Sequence, residues 1–134
     1  MVFQDFRLLP YLDVRQDILA PALAIRDIDS SRADALMGEL GLVSWKSHRP
    51  KQLSAGKQQW TALARALLSE PKVLLADEPS GNLDAENTDQ VLSQLHRFAE
   101  QGGTVLTATH VPPSPPQRIF ACASIRVNSF PEPA

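Results

Sequence analysis

Two adjacent carboxylates, Asp77 and Glu78, directly follow the short apolar run Val73–Ala76. A run of this kind is typical of a strand that is buried on both faces of a parallel sheet. Ligands of open α/β sheets bind at the carboxyl ends of the strands. Because unpaired buried carboxylates are costly, the pair predicts a divalent metal and an activated water. Taken alone, the dipeptide is equally compatible with an acidic turn.

Three further segments place polar residues at the ends of predicted elements. Ser54 precedes a helical pattern as an N-cap, and the free N–H groups behind it favour an anion. The apolar run that starts at Thr104 ends in His110, and Gln4 follows an apolar pair. Each has a plainer interpretation by itself: an ordinary cap, a surface histidine, a mobile residue near the N-terminus.

In this order and spacing, the motifs resemble the nucleotide-binding domain of ATP-binding-cassette (ABC) transporters, specifically its C-terminal part. The resemblance covers the chain from Gln4 to about Val127. It identifies Gln4 with the Q-loop, residues 53–57 with the LSGGQ signature, residues 73–78 with Walker B, residues 82–84 with the D-loop, and His110 with the switch histidine. The sequences of residues 3–10 and 76–84 further resemble those of the lipoprotein-release, macrolide-efflux and cell-division branch of the family.

The resemblance implies ATP and Mg²⁺ as cofactors and assigns a role to each matched residue. It makes Glu78 and His110 catalytic, and it makes Asp77 and Gln4 metal ligands. The residues that contact the nucleotide would be Gln4, Ser54, Ala55, Gly56, Lys57 and Asp84.

The resemblance also implies two protein partners. In the family, the signature helix points at ATP held by a second nucleotide-binding domain in a head-to-tail dimer. A transmembrane permease subunit is the other implied partner. The expected location is therefore cytoplasmic, peripheral on the inner face of the cell membrane.

The sequence also departs from the family pattern. The phosphate-cradling pattern G-x-x-x-x-G-K-[ST] does not occur, because Lys51 and Gln58 stand at two of its defining positions around Gly56. Ala55 and Lys57 replace the glycine and glutamine of the signature, and a proline-rich stretch at 111–116 replaces a helix. We therefore expect weak or no binding of Mg-ATP by this chain alone.

Three alternatives follow for an ABC-type ATPase without that pattern. The chain is a truncated, inactive subunit, or it is half of a split ATPase whose partner chain supplies the P-loop. In the third alternative it is a non-catalytic binding module that docks on a transporter or on an intact ATPase. The transported substrate and the direction of transport have no signal in the sequence.

The predicted fold class is α/β: a partial P-loop NTPase fold of the ABC type, with a helical subdomain and the C-terminal part of a parallel-sheet core. Residues 1–9 would be a Q-loop remnant of the core, residues 10–70 the helical subdomain, and residues 71–134 the Walker B, D-loop and H-switch part. Predicted helices cover 17–25 with a kink or new start at Pro21, 31–40 from a capping box of Ser31 and Asp34, 54–70, and 85–101. Predicted strands cover 73–76, 104–109 and short stretches within 118–127.

Composition is that of a soluble domain. The chain has 134 residues, 43% of them hydrophobic, with 13 basic and 15 acidic residues and a net charge of -2. With no basic block, binding to nucleic acid is not indicated. The single cysteine, Cys122, fits a reducing compartment. No apolar run approaches the roughly 20 residues that span a bilayer, so we expect any membrane association to come through a partner.

Overall fold

The computed structural model describes residues 7–24, 29–77 and 83–108. Its helices and strands follow the order α1 (Val14–Leu19), α2 (Ser30–Glu39), α3 (Ala55–Leu67), β1 (Val73–Asp77), α4 (Ala85–Glu100) and β2 (Thr104–Ala108), with short 3₁₀ helices at Ala20–Leu23, Val43–Trp45 and Pro50–Gln52. The two strands pair in parallel, with Val73 opposite Thr104 and Asp77 opposite Ala108. A helix that links two parallel neighbours is a βαβ unit, which gives the α/β class predicted from the sequence.

Helix α3 lies at the centre of the core. The sequence spaces Trp60, Leu63, Ala64, Leu67 and Leu68 along one helical face, and all of them are buried except Leu67, which is partly buried. Trp60 therefore has the packing role that its size suggests. The helix ends at Leu67, three residues before the predicted end, and Glu70 adopts a left-handed conformation with φ of 48° just before Pro71.

The helical segment near the N-terminus divides at Pro21. Helix α1 begins after the cap Asp13 and ends at Leu19, and a 3₁₀ helix starts at Ala20 with the proline in its first turn. Proline is tolerated there because the first N–H groups of a helix have no intrahelical partner. Of the two predicted outcomes, a kink or a new start, the new start is observed.

The predicted capping box of α2 is wrong. The N-cap is Asp29 rather than Ser31, and its carboxylate accepts a hydrogen bond from the Ser31 amide at 2.9 Å. Asp34 instead accepts two hydrogen bonds from the Arg15 guanidinium, at 3.0 and 3.1 Å. The contact with Arg15 on α1, rather than the local capping pattern, therefore decides where the Asp34 carboxylate lies. Gly41 has φ of 64° and follows the helix, as expected of a C-terminal glycine.

Strand β1 is not buried on both faces within the described part of the chain. Leu74 and Ala76 are buried, whereas Val73 and Leu75 on the other face are 50% and 41% exposed. The prediction of burial on both faces is therefore wrong for this strand as described. The covered face lies toward the core that α3 and α4 share.

The end of α4 is set by two glycines. Gly102 has φ of 94°, and a Cβ at Gly103 would lie 2.2 Å from the Phe98 ring. The Gly103 amide donates to the carbonyl of Phe98, which closes the helix C-terminus. The predicted strands within 118–127, the proline-rich stretch and Cys122 lie outside the described residues. None of the helices in the described ranges is both long and apolar enough to cross a membrane.

Candidate functional site

Asp77 lies at the carboxyl end of β1. Because the parallel register aligns Asp77 with Ala108, both strands end at the same edge of the sheet. The Asp77 residue is exposed there, which suits a ligand at the carboxyl ends of parallel strands. The predicted catalytic residues Glu78 and His110, and the predicted metal ligand Gln4, lie outside the described residues.

The donor set at this edge fits one kind of metal ion. No group of three or more His, Cys, Asp or Glu side chains occurs in the described ranges, so nothing there forms a complete protein cage. Mg²⁺ is commonly held by one or two carboxylates together with substrate phosphates and water. A single carboxylate such as Asp77 therefore fits a Mg²⁺ that arrives with a nucleotide.

The start of α3 has the N-cap that the sequence predicts. Ser54 is extended, with φ of -65° and ψ of 161°, and its hydroxyl accepts a hydrogen bond from the Lys57 amide at 3.3 Å. Ala55 is the first helical residue and is exposed. It does not have a positive φ, so replacing glycine there introduces no backbone strain. The remaining first-turn N–H groups have no intrahelical acceptor.

The first turns of α3 and α4 meet. Asp84 caps α4, and its carboxylate accepts from the amide and the side-chain nitrogen of Asn87, at 2.8 and 2.9 Å. A Cβ at Gly56 would lie 2.7 Å from Asn87 Oδ1. A side chain at position 56 would therefore have to displace the Asn87 side chain, which its hydrogen bond to Asp84 holds in place. The structure brings Ser54, Gly56 and Asp84 into one region of the molecule.

The Lys57 side chain contacts the backbone just after α2. Its amine donates to the Gly41 carbonyl at 3.2 Å, just beyond the C-terminal end of α2. A cation is favourable at a helix C-terminus. The group of Lys57 that lies at the start of α3 is its backbone amide, which Ser54 holds.

Two clefts lie beside these helices. A cleft of about 520 Å³ is lined by the C-terminal parts of α3 and α4, including Leu67, Glu70, Arg97 and Phe98, and it contains none of the predicted site residues. A second, of about 480 Å³, lies between α2, α3 and α4, and of the predicted site residues only Lys57 lines it. Among the described site residues, Asp77 at the sheet edge and Ser54 and Gly56 at the start of α3 line neither cleft.

The sequence reasoning missed Asn87 and an ion pair between Asp17 and Arg65. Asn87 is three residues after the cap Asp84, a spacing that signals a reciprocal side-chain contact in a first turn. Asp17 lies between the buried Val14 and Ile18 of α1, and Arg65 directly follows the buried stretch 59–64 of α3. Opposite charges beside buried residues are a sign of a buried pair.

Comparison with known proteins assigns a family to this arrangement. The family model described as ABC transporter matches residues 1–81. The lipoprotein-releasing system ATP-binding protein LolD 1 of Rhodopirellula baltica is 44% identical over 113 residues, which cover 81% of this chain and 49% of the relative. The macrolide export ATP-binding/permease protein MacB of Escherichia coli is 40% identical over 112 residues, which cover 81% of this chain and 17% of the relative.

Solved structures agree with these sequence matches. The dimeric structure of the bacterial ABC transporter cassette MJ0796 superposes with a TM-score of 0.72 and 34% identity over 82% of this chain and 51% of that one. A post-hydrolysis dimer of the same cassette, bound to ADP and Pi, gives a TM-score of 0.72 at 33% identity. The chain spans about half the length of LolD 1 and of this cassette. With its α/β architecture and the matched family model, the chain belongs to the ABC transporter family of ATP-binding cassettes.

Proposed function

We propose that this chain provides the signature-helix and Walker B part of the ATP-binding subunit of an ABC-type transporter. The observation that carries the proposal is the contact between two capped helix starts, where Gly56 of α3 lies against Asn87 of α4. Ser54 caps the first helix and Asp84 caps the second. Helix starts favour phosphate through their free N–H groups and their dipoles.

The roles at the sheet edge follow from the family resemblance. Asp77 would hold Mg²⁺ with help from Gln4, and the ion would neutralise charge on the nucleotide phosphates. Glu78 would orient and deprotonate the attacking water as a general base. His110 would contact the γ-phosphate, as either a donor or an acceptor, because an imidazole titrates near neutral pH.

The roles at the helix starts concern a nucleotide held by a second subunit. Ser54, Ala55 and Gly56 would offer hydroxyl and backbone N–H groups to the γ-phosphate. Lys57 would contribute its amide, because its amine is engaged by Gly41. Asp84 would order the D-loop by capping α4.

We further propose that these 134 residues do not hydrolyse ATP on their own. Phosphoryl transfer depends on positioning and electrostatic stabilisation of the phosphates, and the phosphate-cradling pattern is absent from the sequence given. A P-loop-bearing segment or chain would complete the site. Residues 10–70 would form the helical subdomain, and residues 1–9 and 71–134 would belong to the core.

The relatives suggest the partners. MacB is named an ATP-binding/permease protein, and the MJ0796 cassette is described as dimeric. We propose that this chain likewise acts with a transmembrane permease and with a second nucleotide-binding domain in a head-to-tail dimer. This arrangement would place it at the cytoplasmic, inner face of the cell membrane.

A second candidate function is a non-catalytic binding module, and the exposed face of β1 supports it. Parallel sheets are ordinarily covered on both faces, yet Val73 and Leu75 are half-exposed. A partner that covers this face would be either the P-loop-bearing half of a split ATPase or the surface of an intact one. The two are distinguished by whether ATP binding appears when the partner joins.

Nucleotide binding tests the proposal. Calorimetric titration of the chain alone with Mg-ATP should give no measurable affinity. The chain co-expressed with the N-terminal half of LolD 1 should bind Mg-ATP. Ser54→Arg should abolish ATP-dependent dimerisation of that complex, because a bulky side chain fills the anion site. Ser69→Arg, at an exposed position beyond the other end of α3, is the matched control and should dimerise normally. Failure of the complemented complex to bind ATP would contradict the proposal.

A further inference from the structure

A buried ion pair joins α1 to α3. The Arg65 guanidinium donates to Asp17 Oδ1 at 2.7 Å, and the Asp17 side chain is 1% exposed while that of Arg65 is 16% exposed. Charges this deeply buried are costly unless they are paired and hydrogen-bonded. A pair in this position is therefore poorly explained by stability alone, since well-packed apolar side chains often serve as well.

The same two side chains also hold the segment that precedes α1. The Leu9 amide donates to Asp17 Oδ2 at 2.6 Å. The same Arg65 nitrogen that contacts Asp17 also donates to the Arg7 carbonyl at 2.9 Å. Arg7 has a left-handed φ of 43°, a conformation that persists in a non-glycine residue only where the surroundings impose it. The pair thus fixes residues 7–9 against two helices.

Helix α3 extends from the Asp17–Arg65 ion pair to the candidate site. Arg65 follows the cap Ser54 by eleven positions, which is about 16 Å along a helix. Residues 59–64 between them are all buried, so the helix is held along most of its length. A displacement at Arg65 would therefore be carried to Ser54 with little loss.

We propose that Asp17 and Arg65 are positioning residues that make residues 7–9 and helix α3 move as one unit. The consequence for the site rests on the proposed function, in which Ser54 contacts a nucleotide. A force on residues 7–9 would then reach Ser54 through the ion pair. By reciprocity, closure at Ser54 would be felt by residues 7–9.

The carboxylate is required by the geometry. Each Asp17 oxygen accepts from a different donor, Leu9 and Arg65. An asparagine has only one acceptor oxygen, and its NH₂ group would face a second donor. Asp17→Asn therefore keeps the shape and loses one of the two connections.

Hydrogen exchange of the full chain, read by mass spectrometry on peptides, tests without nucleotide whether the ion pair couples residues 7–9 to α3. In the unmodified chain, residues 7–12 should exchange at the same rate as α3, because they open together. In Asp17→Asn, exchange of 7–12 should rise by roughly tenfold or more while α3 and α4 stay within about twofold. Asp34→Asn, which breaks the exposed pair with Arg15, should leave both regions unchanged.

A second variant guards against misfolding. Arg65→Lys keeps the charge and one donor. Residues 7–12 should therefore be better protected from exchange in Arg65→Lys than in Asp17→Asn. The proposal is overturned if residues 7–12 exchange much faster than α3 in the unmodified chain, or if both variants leave 7–12 unchanged. It is also overturned if exchange rises equally in every peptide, which would indicate general stability. Because no nucleotide is used, failure here is separate from failure of ATP binding.

Discussion

At the scale of single residues, Gly56 at the start of α3 packs against Asn87 at the start of α4. Any Cβ at this position would lie 2.7 Å from Asn87 Oδ1, and Asn87 is in turn held by Asp84. A side chain at 56 would displace Asn87 and break its bond to the cap of α4. Packing on α4 thus gives a reason for glycine that does not depend on a bound phosphate.

This contact predicts that Gly56→Ala lowers the free energy of unfolding when Asn87 is present and raises it when Asn87 is replaced by alanine. Gly56→Ala should lower the free energy of unfolding by about 1 kcal/mol, through overpacking and a lost hydrogen bond. In an Asn87→Ala background the clash is absent, and the same substitution should stabilise the chain by a few tenths of a kcal/mol, on the order of the helix preference for alanine. Urea unfolding of the four chains measures both effects. Equal effects in the two backgrounds would show that Gly56 and Asn87 are uncoupled.

The Ser54 cap makes a separate prediction. Ser54→Ala removes the acceptor for the Lys57 amide and should cost about 1 kcal/mol of stability. Ser69→Ala, at an exposed position beyond the last turn of α3, should change stability little. Chemical denaturation gives both values, and an unchanged midpoint for Ser54→Ala would mean that the hydroxyl does not cap the helix.

At the scale of elements, α1 and α2 are joined by an exposed ion pair between Arg15 and Asp34. The hydrogen bond and the charge of Arg15 hold the pKa of the Asp34 carboxyl below its usual value. Because the folded-state pKa is lower than the unfolded one, the pair stabilises the fold above the unfolded pKa. That contribution is lost as pH falls through the folded pKa.

An NMR titration of the Asp34 carboxyl carbon checks this sign. The titration midpoint should lie below that of an unstructured aspartate, and Arg15→Met should move it upward. Lys46→Met is a matched control, because its charge makes a smaller contribution to the same pKa. A midpoint that does not respond to Arg15→Met would mean that the two side chains are not in contact in solution.

Local signals in the sequence were enough to predict most elements, and tertiary contacts explain the exceptions. The helix at 55–67 was predicted because its cap, its apolar face and the proline beyond its end agree. The cap of α2 was wrongly placed at Ser31, since Asp34 pairs with a residue nineteen positions away. The same limit applies to Asn87 and to the Asp17–Arg65 pair, whose contacts depend on how distant helices pack.

At the scale of the whole molecule, β1 presents an apolar face that is exposed within the described part of the chain. Val73 and Leu75 are 50% and 41% exposed, and the chain spans about half of the cassette it superposes on. An apolar face on a parallel strand is a natural place for a partner or for self-association.

This face predicts how the chain behaves alone. The unmodified chain should self-associate in sedimentation velocity at micromolar concentration. The double substitution Val73→Thr and Leu75→Thr should shift it toward monomer, because it removes apolar area and leaves a β-branched side chain, which suits a strand, at both positions. Val43→Thr, which alters an exposed valine away from the sheet, should not. A stable monomer of the unmodified chain would show that this face needs no cover.

The order of the motifs was sufficient to predict the family and the fold class, because each motif marks the end of an element. The sequence did not indicate that one face of β1 is exposed in residues 7–24, 29–77 and 83–108, since an apolar run looks the same whether one or both faces are covered. The predicted roles of Gln4, Glu78 and His110 stay predictions, as these residues lie outside the described part of the chain.

The most direct test of the central claim is ATP turnover in the complemented complex, read by phosphate release. The chain co-expressed with a P-loop-bearing N-terminal half should hydrolyse ATP. Glu78→Gln should lower the rate by roughly 10²–10⁴-fold, the cost of losing a positioned base, and leave ATP bound. Glu100→Gln, at the exposed end of α4, should retain the rate. A complex that binds ATP and never turns over, or one in which Glu78→Gln and Glu100→Gln behave alike, would contradict the assignment of this chain to a hydrolytic site.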